Sequence, residues 1–289
     1  MIDLHAHSNH SDGKDSPTEL IVNAVEAGVS VLAITDHDTV SGWDEAIRAA
    51  QSNRLSLIPG IEVSTRAVTE SGHGVSIHVL AYLPDPNHQP LMAALARTKA
   101  SRVTRAQEMV ERLSVDYPIT WDQVLQQLPE GSTIGRPAIA DALVAAGIVP
   151  TRSDAFTSIL HRKSKYYVSE MSLDTVSAIE LIRAAGGVSV MAHPLIDFPP
   201  EADPANLPLK HFEELIEAGL DGLEIYHRAV PDAAKDWLET LAFKHNLIAT
   251  GSSDYHGVGG KENKLGENST SQEMLERIID QAWGFEAFL

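Results

Sequence analysis

The amino-acid sequence predicts an α/β protein made of parallel βα units, arranged either as an open doubly wound sheet or as a barrel. Short, nearly all-apolar segments alternate with amphipathic ones, which is the pattern of strands covered by helices on both faces. The chain has 289 residues, of which 43% are hydrophobic. This is enough for one large domain, or for one domain with an insertion, to bury a sizeable core.

Residues 1–99 begin the alternation. The segments "IDLHAHS", "SVLAITDHD" and "LSLIPGIEVST" are predicted strands, and "SGWDEAIRAAQS" is a predicted helix. "SPTELIVNAVEAGV" predicts a helix with Ser16 as its N-cap, Pro17 as its first residue and Gly28 as its stop. These elements predict the first part of an α/β domain.

Residues 171–289 repeat the same alternation. The predicted helices are "DTVSAIELIRAAGG", "LKHFEELIEAG" and "DAAKDWLETLAFKHN", and the predicted strands are "VSVMAHP", "LDGLEIYHR" and "LIATGSSDYHG". We therefore expect residues 1–99 and 171–289 to form the two parts of one domain.

Residues 100–170 are predicted to form a small helical insertion. After "VSIHVLAYLPDPNHQP", helical periodicity runs through "TWDQVLQQLPEG", "GRPAIADALVAAGI" and "TRSDAFTSILHRKSKYY" without a strand pattern. Ten Lys or Arg residues stand against seven Asp or Glu residues between positions 97 and 165, although the whole chain carries a net charge of −18. Two interpretations stay open, a surface that binds a small anionic substrate and a set of solvated helix faces.

The composition excludes several classes of protein. Because the chain has no cysteine, it has no disulfide, thiolate nucleophile or cysteine-ligated zinc site. The strongly acidic balance argues against a surface that coats nucleic acid. No run of 18 apolar residues predicts a membrane span, and the acidic start does not resemble a secretory signal, so we expect a cytoplasmic protein. "GVGG" at 257–260 follows a strand but lacks the spacing of a dinucleotide-binding turn.

Residues that can bind a hard or borderline cation stand at the ends of the predicted strands. They are His5 and His7, His37 with Asp36 and Asp38, Glu62, His78, His193, Glu224 with His227, and Asp254 with His256. The carboxyl ends of parallel strands meet at one edge of a sheet or one mouth of a barrel, so we expect these side chains to converge. Asp12, in the first loop, can reach the same place.

Imidazole and carboxylate ligands together suit manganese, zinc or iron, and a carboxylate such as Glu62 can bridge two ions. Two or three cations held close together acidify bound water and clamp phosphoryl oxygens during in-line displacement. The six remaining histidines lie in predicted loops or helices, and we expect ordinary structural positions for them, except that a position at the site stays open for His10, which is close to it in the sequence. The pattern therefore predicts a multinuclear metal centre.

The ordered series HxH, D, TDHD, GIE, H, AHP and SDxH resembles the PHP family, named for polymerase and histidinol phosphatase, from residue 1 to about 260. The resemblance implies a distorted (β/α)7 barrel that holds two or three divalent metal ions and hydrolyses phosphate esters. Mn²⁺ is the expected metal, with Zn²⁺ or Fe²⁺ as alternatives. The implied ligand sets are His5, His7, Glu62 and Asp254; Glu62, His78 and His193; and Asp12, His37 and His256.

The insertion with "STIGRPAIADAL" and the strand "HVLAY" resemble the 3′,5′-nucleoside bisphosphate phosphatases, some relatives of which trim short RNA from the 5′ end. The leading hypothesis is that a metal-bridging hydroxide attacks the 3′-phosphate of a nucleoside 3′,5′-bisphosphate and leaves a 5′-nucleotide and inorganic phosphate. Asp254 and His227 are the expected catalytic residues. His227 would contact the phosphate or protonate the leaving oxygen, and a purely structural position for it stays equally open.

The second phosphate of such a substrate needs a cationic pocket of its own. Arg136 is the first candidate because a guanidinium matches phosphate geometry and the predicted helix start adds free N–H groups. Lys99, Arg102 and Arg105 are further candidates, with an exposed helix face as the alternative for each. The expected partner is a small anionic nucleotide or a short oligonucleotide, and no protein partner is indicated.

Three other functions compete with this hypothesis. A 5′-to-3′ exonuclease on short RNA or DNA would use the same metals but need a longer groove. A barrel that binds metal or nucleotide without turnover is disfavoured because the sequence retains all nine ligand positions that the resemblance implies. A metal-dependent amidohydrolase is disfavoured because no lysine stands at a strand end to bridge metals as a carbamate.

Overall fold

The computed structural model describes residues 1–68, 74–128, 134–168, 172–196 and 208–289. The chain divides into two compact units, which we call the barrel unit, Met1–Leu95 with Leu173–Leu289, and the helical unit, Ala96–Ser172. The predicted insertion spanned residues 100–170. Among the described residues, no helix is both long enough and apolar enough to cross a bilayer.

The strands of the described chain form one mixed sheet. They are β1 (Ile2–Asp3), β2 (Val31–Ile34), β3 (Ser56–Val68), β4 (Gly74–Tyr82), β5 (Leu173–Asp174), β6 (Val188–Met191), β7 (Gly222–Tyr226) and β8 (Ile248–Gly251). Seven of them follow the order β1-β2-β3-β4-β6-β7-β8, and β5 pairs with β3 outside this path. A parallel bridge between Ala6 and Tyr255 joins the chain after β1 to the chain after β8, so the seven strands form a nearly closed barrel. The predicted barrel class is confirmed.

One strand departs from the expected parallel arrangement. β4 runs antiparallel to both of its neighbours, β3 and β6, whereas β1-β2-β3 and β6-β7-β8 pair in parallel. Only residues 69–73 separate β3 from β4. A parallel connection needs a crossover of about a dozen residues or more. The short connection therefore permits only the antiparallel pair.

The helices complete both units. They are α1 (Pro17–Glu26), α2 (Trp43–Asn53), α3 (Gln89–Ser114), α4 (Trp121–Leu125), α5 (Arg136–Ala145), α6 (Arg152–Thr157), α7 (Thr175–Ala184), α8 (Leu209–Glu217), α9 (Asp232–Lys244) and α10 (Gln272–Gln281). α1 begins as predicted, since Ser16 and Glu19 form a reciprocal capping box and Pro17 is the first helical residue. Gly28 adopts a φ of +78° just beyond the helix.

The core of the barrel unit explains the apolar strand segments. All four residues of β2 and all four of β6 are buried, as expected for strands covered on both faces. The indole Nε1 of Trp43 donates to the carbonyl of Gly60 at 3.0 Å, which fixes α2 on β3. This packing holds the strands that carry the candidate ligands. The expectation that every ligand stands at a strand end is wrong for two of them, because Glu62 lies in the middle of β3 and His78 in the middle of the antiparallel β4.

The helical unit has an apolar core of its own, to which α3 and α5 contribute Met109, Leu113, Ile139 and Leu143. No strand occurs in its described residues. The helix predicted over residues 151–167 is real only over α6. Its serine and threonine hydroxyls donate to helix carbonyls, such as Thr157 Oγ1 to the carbonyl of Ser153 at 3.1 Å, and this competition weakens helix continuation.

Candidate metal centre

His5 and His7 lie side by side just after β1. Their Nε2 atoms are 3.0 Å apart, and both side chains are fully buried. Only Ile2–Asp3 pairs as a regular strand, yet the backbone of Ala6 continues the direction of β1 through its bridge to Tyr255. Alternate residues of an extended segment point to the same side, so both imidazoles face the barrel mouth.

Glu62 lies at the centre of the histidine cluster, on β3, and its side chain is 1% exposed. Five imidazole nitrogens approach its carboxylate within 3.3 Å. They are His78 Nδ1 at 2.7 Å, His7 Nε2 and His193 Nε2 at 3.1 Å, and His5 Nε2 and His37 Nδ1 at 3.3 Å. Glu62 therefore belongs to two of the groups of side chains that could hold a metal ion.

Two aspartates complete the cluster. Oδ1 of Asp254 lies 3.3 Å from His7 Nε2 and 3.5 Å from His5 Nε2. Oδ1 of Asp12 lies 3.3 Å from His256 Nε2 and 3.9 Å from His37 Nε2. Asp254 adopts a φ of +54°, a conformation that non-glycine residues reach at a cost and that concentrates at functional sites.

These contacts form three groups in which the ligand atoms all lie within 4.8 Å of one another. The groups are His5, His7, Glu62 and Asp254; His7, Asp12 and His256; and His37, Glu62 and His78. The first set matches the expected one. The other two groups differ from the expected sets, because His37 rather than His193 joins Glu62 and His78, and His7 rather than His37 joins Asp12 and His256.

The electrostatics follow from burial and close packing. Burial alone would raise the pKa of Glu62, but the surrounding imidazoles, His37 and His78 first, hold it well below its usual range. Burial alone would lower the pKa of His7, but its contacts with Asp254 and Glu62 outweigh that effect and raise it to about 9. Burial lowers the pKa of His37 well below its usual value, which leaves a neutral ring. Near neutral pH the metal-free cluster therefore combines ionised carboxylates with a protonated His7 and a neutral His37.

The donor set fits divalent metal ions. Within the described residues, Asp12 Oδ1, His37 Nδ1 and His256 Nε2 are buried and have no hydrogen-bond partner. A buried polar atom without a partner costs free energy, on the order of 1–3 kcal/mol. Nitrogen and oxygen ligands of this kind suit Mn²⁺, Fe²⁺ or Zn²⁺.

Further groups orient the candidate ligands by contacting the imidazole nitrogens that face away from the cluster. Glu224 on β7 is fully buried and contacts His5 Nδ1 at 2.9 Å, while its other oxygen accepts from the backbone N–H of His193 at 2.7 Å. Ser252 also donates to Glu224. Nδ1 of His256 lies 2.7 Å from the carbonyl of Asp254, which directs Nε2 toward Asp12. Such contacts fix the imidazole tautomer and orientation that a metal requires.

The first loop is ordered by an aspartate of the "TDHD" segment. Asp36 accepts from the backbone N–H of Ser8 at 2.8 Å and from the hydroxyl of Ser11 at 2.6 Å. Ser11 Oγ in turn lies 3.4 Å from Nδ1 of His7. Asp38 accepts from the backbone N–H of Ser64 at 2.8 Å. Both aspartates therefore hold backbone segments while His37, between them, faces the cluster.

His227 lies just after β7 at the edge of the cluster and is 2% exposed. Its Nδ1 accepts from the backbone N–H of Ala229 at 3.1 Å, so the proton of the neutral ring is on Nε2. That Nε2 lies 3.7 Å from Oδ2 of Asp254 and has no hydrogen-bond partner among the described residues. His227 is therefore a buried donor beside the candidate ligands.

The predicted substrate-binding residues all belong to the helical unit. Lys99, Arg102 and Arg105 lie on α3, and Arg136 is the first residue of α5. The guanidinium of Arg136 is 5.3 Å from the ring of Phe156 and 5.7 Å from that of Tyr167. Arg105 lies 5.2 Å from the same Tyr167 ring, and its Nε donates to the carbonyl of Val168 at 2.8 Å. Two of the four cations thus share one aromatic ring.

Sequence reasoning named Glu224 and Asp36 without their contacts and missed Lys261. It grouped Glu224 with the residues able to bind a cation, whereas Glu224 contacts Nδ1 of His5 on the side away from Glu62. It gave Asp36 no specific contact. It also passed over Lys261, whose Nζ lies 2.7 Å from Oδ2 of Asp254. The available signal for Lys261 was its place directly after the glycine run "GVGG" that follows the last strand.

Comparison with known proteins agrees with this geometry. The PHP domain family matches residues 3–124. A 5′-3′ exoribonuclease of Haemophilus influenzae is 35% identical over 259 residues, which cover 88% of this chain and 89% of that protein. A 3′,5′-nucleoside bisphosphate phosphatase of Chromobacterium violaceum is 31% identical over 270 residues, which cover 90% of each chain.

A solved structure shows the same architecture. It is that of a Bifidobacterium adolescentis protein assigned as a metal-dependent phosphoesterase, which superposes with a TM-score of 0.89 at 43% identity and covers 97% of this chain and 96% of its own. The similarity extends over both units. The chain therefore belongs to the PHP family of metal-dependent phosphoesterases.

Proposed function

We propose that this phosphoesterase removes the 3′-phosphate from nucleoside 3′,5′-bisphosphates and releases a 5′-nucleotide and inorganic phosphate. The observation that carries the proposal is the approach of five imidazoles within 3.3 Å of the buried Glu62 carboxylate. That arrangement suits a multinuclear metal centre, which is the type of site that hydrolyses phosphate esters without a covalent intermediate. Similarity to the Chromobacterium violaceum phosphatase over 90% of each chain supports the substrate class.

The proposed ligands are the nine residues of the sequence analysis, and each contacts at least one other. They are His5, His7, Asp12, His37, Glu62, His78, His193, Asp254 and His256. When bound, two or three divalent ions, most simply Mn²⁺, supply a nucleophile from water near neutral pH and neutralise the phosphoryl oxygens. The protein residues fix the positions of these charges.

His227 is the proposed donor to the substrate. Its Nε2–H has no partner among the described residues and lies beside Asp254, which is itself a ligand. From there the neutral ring donates a hydrogen bond to a phosphoryl oxygen or to the leaving 3′-oxygen. Full proton transfer to that oxygen would require a proton on Nδ1 as well, and therefore loss of the contact with Ala229. Because the backbone N–H of Ala229 occupies Nδ1, the donor tautomer exists before substrate binds.

Arg136 is the proposed ligand of the retained 5′-phosphate. Its place at the first position of α5 adds the free N–H groups and the dipole of a helix N-terminus. The rings of Phe156 and Tyr167 order the guanidinium, which lowers the entropy cost of binding an anion. Arg105, on the same ring, adds a second positive charge, and Lys99 and Arg102 are weaker candidates.

A second candidate function is 5′-to-3′ exonuclease activity on short RNA or DNA. The observation in its favour is the 35% identity to the Haemophilus influenzae exoribonuclease, spread over 88% of this chain. The same metal ligands would serve both reactions. The two functions differ in the length of the nucleotide chain that the protein accepts.

One assay separates the two functions. Phosphate release from adenosine 3′,5′-bisphosphate is compared with mononucleotide release from a 5′-phosphorylated oligoribonucleotide, with Mn²⁺ and after metal removal. The proposal expects a higher kcat/KM on the bisphosphate, one phosphate released per molecule and loss of activity without metal. Stepwise mononucleotide release at higher kcat/KM identifies an exonuclease, and metal-independent activity on either substrate refutes both functions.

A further inference from the structure

A glycine-rich loop, residues 257–263, follows directly after Asp254 and His256. Its sequence is "GVGGKEN", and neither the metal ligands nor the proposed function explains it. The loop is described throughout and belongs to the barrel unit. Its geometry determines where the side chain of Lys261 lies.

Hydrogen bonds hold the loop at both ends. The backbone N–H of Val258 donates to Oδ1 of Asp15 at 3.3 Å, and Asp15 is only three residues beyond the candidate ligand Asp12. The buried side chain of Asn263 donates to the carbonyl of Ser253 at 2.6 Å. A turn between Gly260 N–H and Gly257 O, at 3.0 Å, closes the middle of the loop. The loop therefore has a defined path between these contacts.

Two glycines allow that path. A Cβ at Gly260 would lie 2.2 Å from the carbonyl oxygen of His256, so only glycine permits this approach to the ligand segment. Gly257 has a φ of +83°, and a Cβ there would lie 2.7 Å from Oδ1 of Asp15. The loop consequently packs against both segments that carry candidate ligands.

This path brings Lys261 to the metal centre. Its Nζ lies 2.7 Å from Oδ2 of Asp254, while Oδ1 of the same carboxylate faces His5 and His7. Oδ2 is also the oxygen approached by the Nε2–H of His227, at 3.7 Å. The side chain of Lys261 is 46% exposed, so its ammonium contacts the buried cluster on one side and solvent on the other.

We propose that the ammonium of Lys261 binds a non-bridging oxygen of the phosphoryl group that is hydrolysed. An ammonium has three N–H donors, and one bond to Asp254 leaves donors for an incoming phosphate. An incoming phosphate would therefore find two donors beside Oδ2 of Asp254. They are the ammonium of Lys261 and the Nε2–H of His227. This inference rests on the phosphoester hydrolysis of the proposed function but not on the choice between bisphosphate and oligonucleotide.

A purely structural explanation makes a different prediction. If Lys261 only neutralises Asp254, its removal leaves phosphate binding unchanged and alters metal affinity, because the cation competing for that carboxylate is gone. If Lys261 binds phosphate, its removal weakens phosphate binding while the full complement of metal stays bound. Phosphate affinity and metal content together distinguish the two explanations.

The experiment titrates inorganic phosphate into Mn²⁺-loaded protein by calorimetry, with metal content measured on the same samples. We expect Lys261→Ala to weaken phosphate binding by about tenfold to hundredfold, the usual worth of a charge-assisted hydrogen bond, with unchanged Mn²⁺ content. Lys261→Arg keeps the positive charge and should recover part of the affinity. Lys264, an exposed lysine directly after the loop, is the matched control, and Lys264→Ala should bind phosphate as the wild type does.

Phosphate affinity within twofold of wild type in Lys261→Ala overturns the inference, as does a loss that follows loss of metal. Failure of the wild-type protein to bind phosphate overturns it as well. The calorimetric measurement needs no turnover, so it remains informative if both proposed substrates prove wrong. Conversely, the wild-type enzyme could hydrolyse the bisphosphate while Lys261→Ala binds phosphate normally. That result would support the proposed function and refute only the position given to Lys261.

Discussion

The imidazole of His5 and the carboxylate of Glu224 form a fully buried contact of 2.9 Å between Nδ1 and Oε1. Burial alone would raise the pKa of Glu224, but the charge of His5 and their hydrogen bond lower it to about 2. An ionised carboxylate only accepts hydrogen bonds, so Nδ1 of His5 carries a proton and Nε2 is the atom presented to Glu62 and Asp254. Glu224 thus selects the ligand atom of His5.

Replacing Glu224 should therefore weaken metal binding without removing a ligand. In Glu224→Gln we expect Mn²⁺ affinity, measured by calorimetric titration, to fall about tenfold to hundredfold, the usual effect of losing an orienting carboxylate. Glu26→Gln, on the exposed end of α1, is the control and should bind metal normally. Wild-type affinity in Glu224→Gln would show that the tautomer of His5 is set by something else.

Glu62→Gln should abolish metal binding and activity together. The variant keeps the shape of the side chain but removes the charge that faces five imidazoles. We expect kcat/KM to fall roughly a thousandfold or more, since the metal centre supplies several kcal/mol of transition-state stabilisation. Elemental analysis of the purified variant checks the cause, because full metal content with low activity would contradict a ligand position for Glu62.

Arg136→Ala should separate substrate binding from metal binding. The KM for a nucleoside 3′,5′-bisphosphate should rise about tenfold to hundredfold through loss of a charge-assisted contact, while metal content stays at the wild-type level. Hydrolysis of p-nitrophenyl phosphate, which has no second phosphate, should be unaffected. Lys163→Ala removes an exposed positive charge from the same unit and serves as the control. Unchanged kinetics on the bisphosphate would refute the position given to Arg136.

Metal affinity and metal-free stability should change in opposite directions with pH. The pKa of His7 is about 9 in the folded, metal-free protein and 6.5 in an unfolded chain. Its contribution to stability is therefore fully present below pH 6.5 and is lost as pH rises through 9. Metal binding requires the neutral ring, so Mn²⁺ affinity should rise over the same interval.

Thermal unfolding of the metal-free protein and Mn²⁺ titrations between pH 6.5 and 9 check this prediction. The enthalpy of Mn²⁺ binding should also depend on the buffer, because a proton leaves His7 when metal binds. In His7→Gln the stability of the metal-free protein should fall less steeply as pH rises. Part of the fall should remain, because the pKa of His5 is also raised well above its usual value. Metal affinity that does not change with pH would contradict the protonated state of His7.

Much of the fold followed from local pattern. The cap at Ser16, the stop at Gly28 and the continuous apolar strands are consequences of short-range geometry and of burial on both faces, so the sequence alone predicted them. The antiparallel direction of β4 depended on its five-residue connection to β3, and the apolar periodicity within each strand does not encode that length. The early end of α6 depended on hydroxyl groups that compete with the helix for its carbonyls.

By itself the sequence determined which residues could meet at the strand ends, because side chains alternate along a strand and the carboxyl ends of parallel strands share one mouth. Only the tertiary structure decided which carboxylate lies among the imidazoles and which one orients a single imidazole. Glu62 and Glu224 both lie within apolar strands, β3 and β7, yet Glu62 faces five imidazoles whereas Glu224 contacts the opposite nitrogen of one of them. The difference depends on strand pairing and on the path of the loop that brings Lys261 to Asp254, and both are set by contacts between residues far apart in the chain.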